Sequence, residues 1–304
     1  MISIRRELAA LWSPISNKGQ IDETSIHIEV WYMKTIRMLY PEGKQKAFTL
    51  SYDDGCVGDR KLAALFNKYH LKGTFHLNSR SLLDSDDKKH VNADEIKELY
   101  AGHEVSIHSL THPNLAHISR DLQLYEIMKD RENLERLCGY AVRGMSYPLN
   151  SWNPDTLDVL KAIGIVYSRT TESTGNFSLP KDWLLWHPTA HHSHRIAELA
   201  DRFLNLNADL ATLYVWGHSF EFDLHPDDPQ NNWTMMETFC EKMSGHSDVW
   251  YATNIEIYSY VTALRSLYFT LDLSSVSNPS AADVWLKVKD QIIKIPGGKT
   301  VVLP

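Results

Sequence analysis

Histidines are concentrated in two short stretches of the sequence. Eight of the 15 histidines fall there, whereas an even scatter would place roughly one in so few positions. The first stretch holds His103, His108, His112 and His117, and the second holds His187, His191, His192 and His194. Because histidine is the commonest metal-binding side chain and titrates near neutral pH, this clustering favours a metal site or acid–base catalysis.

Two histidines of the first stretch have a spacing that suits metal binding. His108 and His112 lie four residues apart, so one helical turn can bring both rings to a single ion. Asp53 and Asp54 follow an apolar segment and offer carboxylates. One carboxylate and two histidines leave open coordination positions, as a catalytic divalent metal requires. The simpler interpretations are an Asp-Asp-Gly turn and two unrelated loop histidines.

An arginine and a further histidine complete the candidate catalytic residues. Arg143 lies near the start of a predicted strand, and its guanidinium can orient a carboxylate such as Asp53 and hold it ionised. His218 ends a predicted apolar strand, where it is well placed as a general acid. Taken separately, the first is more often a surface arginine, and the second is as often a core histidine bonded to backbone.

Strands and helices alternate about seven times from residue 46 onward, which predicts a parallel sheet with covering helices. Most candidate residues lie at carboxyl ends of predicted strands, where (β/α) barrels build their active sites. Arg143 is the exception. The predicted strands are Lys46–Tyr52, Gly73–Leu77, Glu104–His108, Val142–Tyr147, Gly164–Ser168, Thr212–Gly217 and Val249–Ala252.

The sequence divides into three predicted segments. Residues 1–45 lack a strong pattern and are expected to form an N-terminal extension. Residues 46–267 carry the repeated βα alternation and are expected to form the barrel. Residues 268–304 hold short alternating apolar segments separated by proline and glycine, which predict a small C-terminal β appendage.

Composition excludes several classes of protein. The 31 basic and 38 acidic residues leave a net charge of −7, which argues against binding to nucleic acid or to an anionic membrane. No stretch approaches the ~20 apolar residues of a membrane span, and the N-terminal apolar run is too short for a signal peptide. Three widely spaced cysteines form no disulfide framework. The expected location is therefore the cytoplasm.

Four segments resemble the motifs of one family, in that family's order. Thr49–Gly55 (TLSYDDG) is similar to its first motif, T-F-D-D-G, and His108–Pro113 (HSLTHP) matches its second, H-[ST]-x-x-H-P. Residues 143–148 and Leu213–His218 (LYVWGH) resemble its third and fifth motifs. The family is the polysaccharide deacetylases, the NodB-homology domain of carbohydrate esterase family 4. The resemblance implies a distorted (β/α)7, TIM-like barrel.

The same resemblance implies a metal site and an activity. A divalent metal would be bound by Asp54, His108 and His112; zinc is the expected ion, with cobalt or another divalent ion as alternatives. The implied activity is a hydrolase that removes N-acetyl groups from a carbohydrate containing an amino sugar.

The resemblance also implies catalytic roles. Asp53 would be the general base, Arg143 would orient it, and His218 would be the general acid. The backbone of Tyr147 would help to hold the oxyanion.

Departures from the family pattern concern the substrate side of the site. The fourth motif is only partly present, at Lys181–Trp183, which leaves Glu221 and Asp223 as candidates to tune His218. The second histidine stretch has no counterpart and is expected either to line the cleft or to form a surface loop. The residues expected to contact substrate are Pro148, Trp183, His192 and Trp216.

Two alternative functions are compatible with the sequence. The absence of a secretion signal is unusual for an enzyme of cell-wall polysaccharides, so the substrate could instead be a small cytosolic N-acyl sugar or another amide. The chain could also be a non-catalytic carbohydrate- or metal-binding relative, although the complete set of candidate catalytic residues argues against this.

Overall fold

The computed structural model describes residues 36–224 and 226–304, and most of them belong to a curled sheet with helices around it. Residues 1–35 of the predicted extension lie outside the described part. The strands, in chain order, are β1 (Ile36–Leu39), β2 (Lys46–Asp54), β3 (Gly73–Leu77), β4 (Glu104–Ile107), β5 (Gly144–Ser146), β6 (Tyr167–Arg169), β7 (Ala190–His191), β8 (Ala211–His218), β9 (Val249–Tyr251), β10 (Tyr268–Phe269), β11 (Ser275–Ser277), β12 (Val284–Val288), β13 (Gln291–Ile295) and β14 (Thr300–Val302).

The helices of the described residues follow the strands of the sheet in the order expected for βα units. They are α1 (Asp59–Lys68), α2 (Ser79–Leu82), α3 (Ile96–Leu99), α4 (Arg120–Cys138), α5 (Pro154–Ala162), α6 (Ile196–Leu204), α7 (Glu221–Leu224), α8 (Trp233–Met243) and α9 (Asn254–Arg265). Side-chain caps set several helix starts: Ser119 caps α4, and Asn153 and Thr253 form capping boxes at α5 and α9. None of the described helices has the length and hydropathy of a membrane span.

The main sheet is parallel throughout and has the order β6-β5-β4-β3-β2-β8-β7. β2 is its central strand and is paired along both edges over almost all of its length. β8 pairs with one edge from Lys46 to Asp53, while β9 and β3 pair in turn with the other. All of its residues except Asp54 are buried, as expected for a parallel strand covered on both faces.

Helix α9 packs at the amino-terminal end of the sheet. The carboxyl group of Glu104, at the start of β4, accepts hydrogen bonds from the Ile255 backbone N–H (2.9 Å), the Thr74 hydroxyl (3.0 Å) and the Tyr167 hydroxyl (2.7 Å). A second apolar cluster, which includes Tyr40, continues from this end into the C-terminal segment. The amino-terminal end is therefore closed by packing, which leaves the carboxyl end for a site.

The C-terminal residues form two small antiparallel sheets. One has the order β10-β11-β14, and the other has the order β1-β12-β13. β1 lies in the segment predicted as an N-terminal extension, yet it pairs with β12 from Ile36 to Leu39. All described residues fall in one compact unit. The predicted boundaries at residues 45 and 267 stay predictions.

The predicted fold class, an α/β barrel with seven βα units and a C-terminal β appendage, is confirmed. Several strand ends differ by one or two residues from their predictions, and two strands differ in ways that bear on the site. β6 begins three residues later than predicted and ends at Arg169 rather than Ser168. β7 has only two residues and was not predicted, since so short a segment shows no periodicity.

Candidate active site

Asp54, His108 and His112 meet at the carboxyl end of the sheet. Asp54 ends β2, His108 directly follows β4, and His112 lies in the loop beyond it. The Asp54 Oδ1 atom is 3.5 Å from His108 Nε2 and 3.7 Å from His112 Nε2. One ligand atom from each residue lies within 4.8 Å of the other two, so the structure brings together the three predicted metal ligands.

The donor atoms of this triad fit a divalent metal. Asp54 Oδ1 is buried and has no hydrogen-bond partner. His108 Nδ1 lies 2.6 Å from the Ser146 hydroxyl and 2.9 Å from the Ser146 carbonyl, which directs the other ring nitrogen, Nε2, toward Asp54. Asp54 and His112 both have left-handed backbone conformations, with φ of 77° and 57°. Such strain occurs preferentially at functional sites.

Asp53 pairs with an arginine that the sequence analysis did not select. The Arg169 guanidinium, at the end of β6, donates to Asp53 Oδ2, and both side chains are almost fully buried. The Ser146 hydroxyl donates to the other oxygen of Asp53 at 3.1 Å. Burial raises the pKa of Asp53, but Arg169 and the neighbouring histidines outweigh burial and hold that pKa below its usual range.

Arg143 does not have the role predicted for it. It directly precedes β5 at the amino-terminal end of the sheet, and its side chain is exposed, whereas Asp53 is buried at the carboxyl end. Arg169 lies at the carboxyl end of its strand, the position that indicated the other candidates. The strand prediction stopped one residue short of it, at Ser168.

The Tyr147 backbone N–H is also not free for an oxyanion. It donates to the Arg169 carbonyl at 3.1 Å, as part of the β5–β6 pairing. The Tyr147 ring is buried, and its hydroxyl donates to the Leu184 carbonyl at 2.7 Å. The predicted oxyanion role is therefore wrong for this residue.

His218 faces the triad from the end of β8. Its Nε2 atom is 4.0 Å from Asp54 Oδ2, and its Nδ1 atom is 3.2 Å from Glu221 Oε1. Burial lowers the pKa of His218. The hydrogen bond to Glu221 and the negative charges of Asp53 and Asp54 together raise this pKa by more than burial lowers it, so the net shift is upward. Of the two candidates to tune His218, Glu221 makes the contact, while Asp223 accepts from the Trp233 indole at 2.8 Å.

Two of the residues expected to contact substrate lie elsewhere. His192 is fully buried and stacks between Tyr52 and Phe222. Trp183 packs against Trp186 and against Tyr258 of α9, away from the carboxyl end of the sheet. Neither side chain is positioned to contact a substrate bound at the Asp54–His108–His112 triad.

The other two expected substrate contacts lie closer to the site. Trp216 is nearly buried, and its ring centroid is 5.7 Å from that of His218. Pro148 is buried at the start of a 3₁₀ turn, Pro148–Asn150, that follows β5. Their contacts with substrate stay predictions.

A polar cleft of about 240 Å³ opens beside the triad. Apart from Asp54 and His112 it is lined by Asn78, Ser81, His90 and Thr111. A ligand in this cleft would lie directly against two of the candidate metal ligands.

Comparison with known proteins places the first half of the barrel in one family. Residues 40–168 match the family model described as "Polysaccharide deacetylase". The protein YxkH of Bacillus subtilis (strain 168), which is assigned as a polysaccharide deacetylase, is 25% identical over 131 residues. The match covers 42% of this chain and 46% of YxkH, so the chain spans about half the length of this relative.

A solved structure extends the similarity of fold to most of the chain. A Mycobacterium smegmatis protein assigned as a polysaccharide deacetylase superposes with a TM-score of 0.56 at 17% sequence identity. The match covers 75% of this chain and 94% of that protein. It supports the barrel architecture beyond residue 168, where the family model ends.

Proposed function

Because the chain carries a polysaccharide deacetylase domain of the NodB-homology type, we propose that it is a metal-dependent hydrolase that removes N-acetyl groups from a carbohydrate containing an amino sugar. One observation carries this proposal. A buried, arginine-paired carboxylate, Asp53, lies beside the Asp54–His108–His112 triad, and His218 faces the same triad at 4.0 Å. The candidate base, the candidate metal ligands and the candidate acid are thus neighbours at the carboxyl end of the sheet.

Asp54, His108 and His112 would hold the metal, and zinc or cobalt is compatible with their donor atoms. Three protein ligands leave coordination positions open for water and substrate. When bound, such an ion polarises the amide carbonyl and lowers the pKa of water.

Asp53 is suited to act as the general base. Arg169 and the Ser146 hydroxyl fix its two oxygens, and the lowered pKa keeps it ionised at neutral pH. Its Oδ2 atom lies 3.8 Å from His108 Nε2, so it is adjacent to the triad. Asp53 would accept the proton of the attacking water as the carbon–oxygen bond forms.

His218 is suited to act as the general acid. Glu221 accepts from its Nδ1 atom, which leaves Nε2 directed toward Asp54. Amines are poor leaving groups, so the carbon–nitrogen bond breaks readily only when a proton reaches the nitrogen. His218 would deliver that proton.

The test is acetate release from N-acetylated sugars after the protein is reconstituted with zinc or cobalt. The panel contains polymers, short oligosaccharides and simple acetamides, which separates the polysaccharide substrate from the small cytosolic alternative. We expect Asp53→Asn to lower kcat by about 10²–10⁴-fold while leaving metal binding intact. Asp223→Asn, at the exposed carboxylate bonded to Trp233, is the matched control.

Two outcomes would contradict the proposal. Full activity of Asp53→Asn would exclude this residue as the base. No metal-dependent acetate release over the whole panel would favour a non-catalytic binding domain. The cytoplasmic location expected from the sequence stays a prediction.

A further inference from the structure

A second group of metal-binding side chains lies next to the candidate active site. It consists of His191 at the end of β7, His218 at the end of β8 and Glu221 at the start of α7. The Glu221 carboxylate is 3.0 Å from His191 Nε2 and 3.2 Å from His218 Nδ1. One ligand atom from each residue lies within 4.8 Å of the others.

A third, buried histidine is directed at the same carboxylate. His192 is fully buried, and its Nε2 atom is 2.9 Å from Glu221 Oε2, the oxygen that also faces His191. Its Nδ1 atom has no hydrogen-bond partner and lies against Gly217. Three imidazole rings therefore surround one carboxylate, a concentration of the nitrogen and oxygen donors that zinc and cobalt bind.

The donor set and its dimensions suit a borderline transition metal. Imidazole with carboxylate favours zinc or cobalt over calcium or magnesium, which prefer oxygen ligands. Ligands about 2.1 Å from a tetrahedral ion lie about 3.4 Å apart. One ligand atom from each residue lies within 4.8 Å of the others, and the two closest contacts, Glu221 Oε2 to His191 Nε2 (3.0 Å) and Glu221 Oε1 to His218 Nδ1 (3.2 Å), are near this value. An ion bound between the rings would replace these two contacts after small side-chain shifts.

An ion could reach this group from solvent. The side chains of His191, His218 and Glu221 retain 12%, 22% and 20% of their exposure, respectively. The first two rings also contact each other, with centroids 6.4 Å apart. The group is therefore part of the open end of the barrel and not of its core.

We propose that His191, His218 and Glu221 form a second divalent-metal site, separate from the Asp54–His108–His112 triad, and that its occupation inhibits the enzyme. An ion held at His218 Nδ1 would replace the contact of this atom with Glu221 and so remove the partner that orients the proposed acid. The binding is independent of the proposed deacetylase activity, whereas the inhibition rests on it.

Metal stoichiometry tests the site without any assay of activity. Cobalt is titrated into the metal-free protein, and the bound equivalents are measured by calorimetry and by visible absorption. We expect two equivalents for wild type, one for His191→Gln and one for Asp54→Asn. His194→Gln, which alters an exposed histidine three residues from His191, is the matched control and should bind two.

One equivalent in wild type, or two in His191→Gln, would overturn the second site. Inhibition is tested separately by adding zinc beyond one equivalent during acetate release. We expect His191→Gln to need at least about tenfold more zinc for half-inhibition than wild type, each measured against its own basal rate. Two bound equivalents without inhibition would overturn the inhibitory role and also contradict His218 as the acid.

Discussion

At the scale of single residues, the site depends on which charged groups are buried together. Asp53 and Arg169 form a pair that is almost fully excluded from solvent. Such a pair contributes little net stability, but removing one partner is costly because it leaves an uncompensated charge. The pair therefore commits Asp53 to its ionised form, and Arg169 acts as a positioning residue.

Replacing Arg169 tests this arrangement directly. We expect Arg169→Met to lower kcat at least 100-fold and the free energy of unfolding by about 3–5 kcal/mol. Arg169→Lys keeps the charge and should recover part of both. The exposed Arg143→Met is the control and should stay within about twofold of wild type. Steady-state kinetics and denaturant melts measure the two effects, and equal losses from both arginines would contradict the assignment.

Glu221 is expected to act through His218, and two leaving groups separate this role from a structural one. Amide cleavage needs a proton on the departing nitrogen, whereas 4-nitrophenolate leaves without one. Glu221→Gln should therefore reduce deacetylation by about 10²-fold and hydrolysis of 4-nitrophenyl acetate far less. Asp223→Asn is the control, since its carboxylate contacts Trp233 instead. Equal losses on both substrates would show that Glu221 does not work through the acid.

At the scale of strands and helices, the sequence predicted the order of the strands better than their exact ends or the directions of individual side chains. The βα alternation and the polar residues at strand ends located β2, β4 and β8, and with them Asp54, His108 and His218. Arg169 was missed because its strand was predicted to end one residue too early, at Ser168. Glu221 and Asp223 could not be ranked, because their difference depends on which way each side chain points from a helix of only four residues.

β8 approaches His192, which directly follows β7, so closely that the residue type at position 217 is restricted. A Cβ atom added at Gly217 would lie 1.9 Å from His192 Nδ1, so any side chain there must displace the His192 ring. We expect Gly217→Ala to lower the free energy of unfolding by roughly 1–3 kcal/mol and to weaken the second cobalt equivalent. Gly175→Ala meets no atom within 4 Å but has a positive φ of 66°, so its purely conformational cost is the comparison. An equal loss of stability in both, with cobalt binding unchanged, would contradict the packing argument.

At the scale of the whole molecule, the candidate site and the packing that closes the barrel lie at opposite ends of the main sheet. The carboxyl end holds the two groups of candidate ligands, and the amino end is closed by α9 and the small sheets. The pairing of β1 with β12 joins the two ends of the described chain. The sequence did not predict this join, since antiparallel pairing between segments about 250 residues apart leaves no local pattern.

Glu104 makes the closed end sensitive to pH. Burial raises its pKa from the usual 4.5 to about 7, against the hydrogen bonds that lower it. The folded state therefore binds this proton more tightly than the unfolded state. Its stabilising contribution is complete below pH 4.5 and is lost as the pH rises toward 7, by about 3 kcal/mol in all.

Glu104→Gln should remove that dependence, because its amide can donate to Tyr167 while its oxygen accepts from Ile255. Denaturant melts of both proteins between pH 4.5 and 8 measure the difference. We expect the variant to gain on wild type as the pH rises. The exposed Glu98→Gln is the control, and a constant difference between Glu104→Gln and wild type would contradict the prediction.

The double pairing of β2 has a consequence for the dynamics of the protein. Because β8, β9 and β3 together cover both of its edges, its backbone amides reach solvent only when a neighbouring strand separates from the centre of the sheet. Hydrogen–deuterium exchange in residues 47–53 should therefore follow global unfolding, whereas residues of β7, at the edge of the sheet, should exchange by local fluctuation. The candidate base would then keep its place until the whole barrel unfolds, and the histidines around Glu221 would move first.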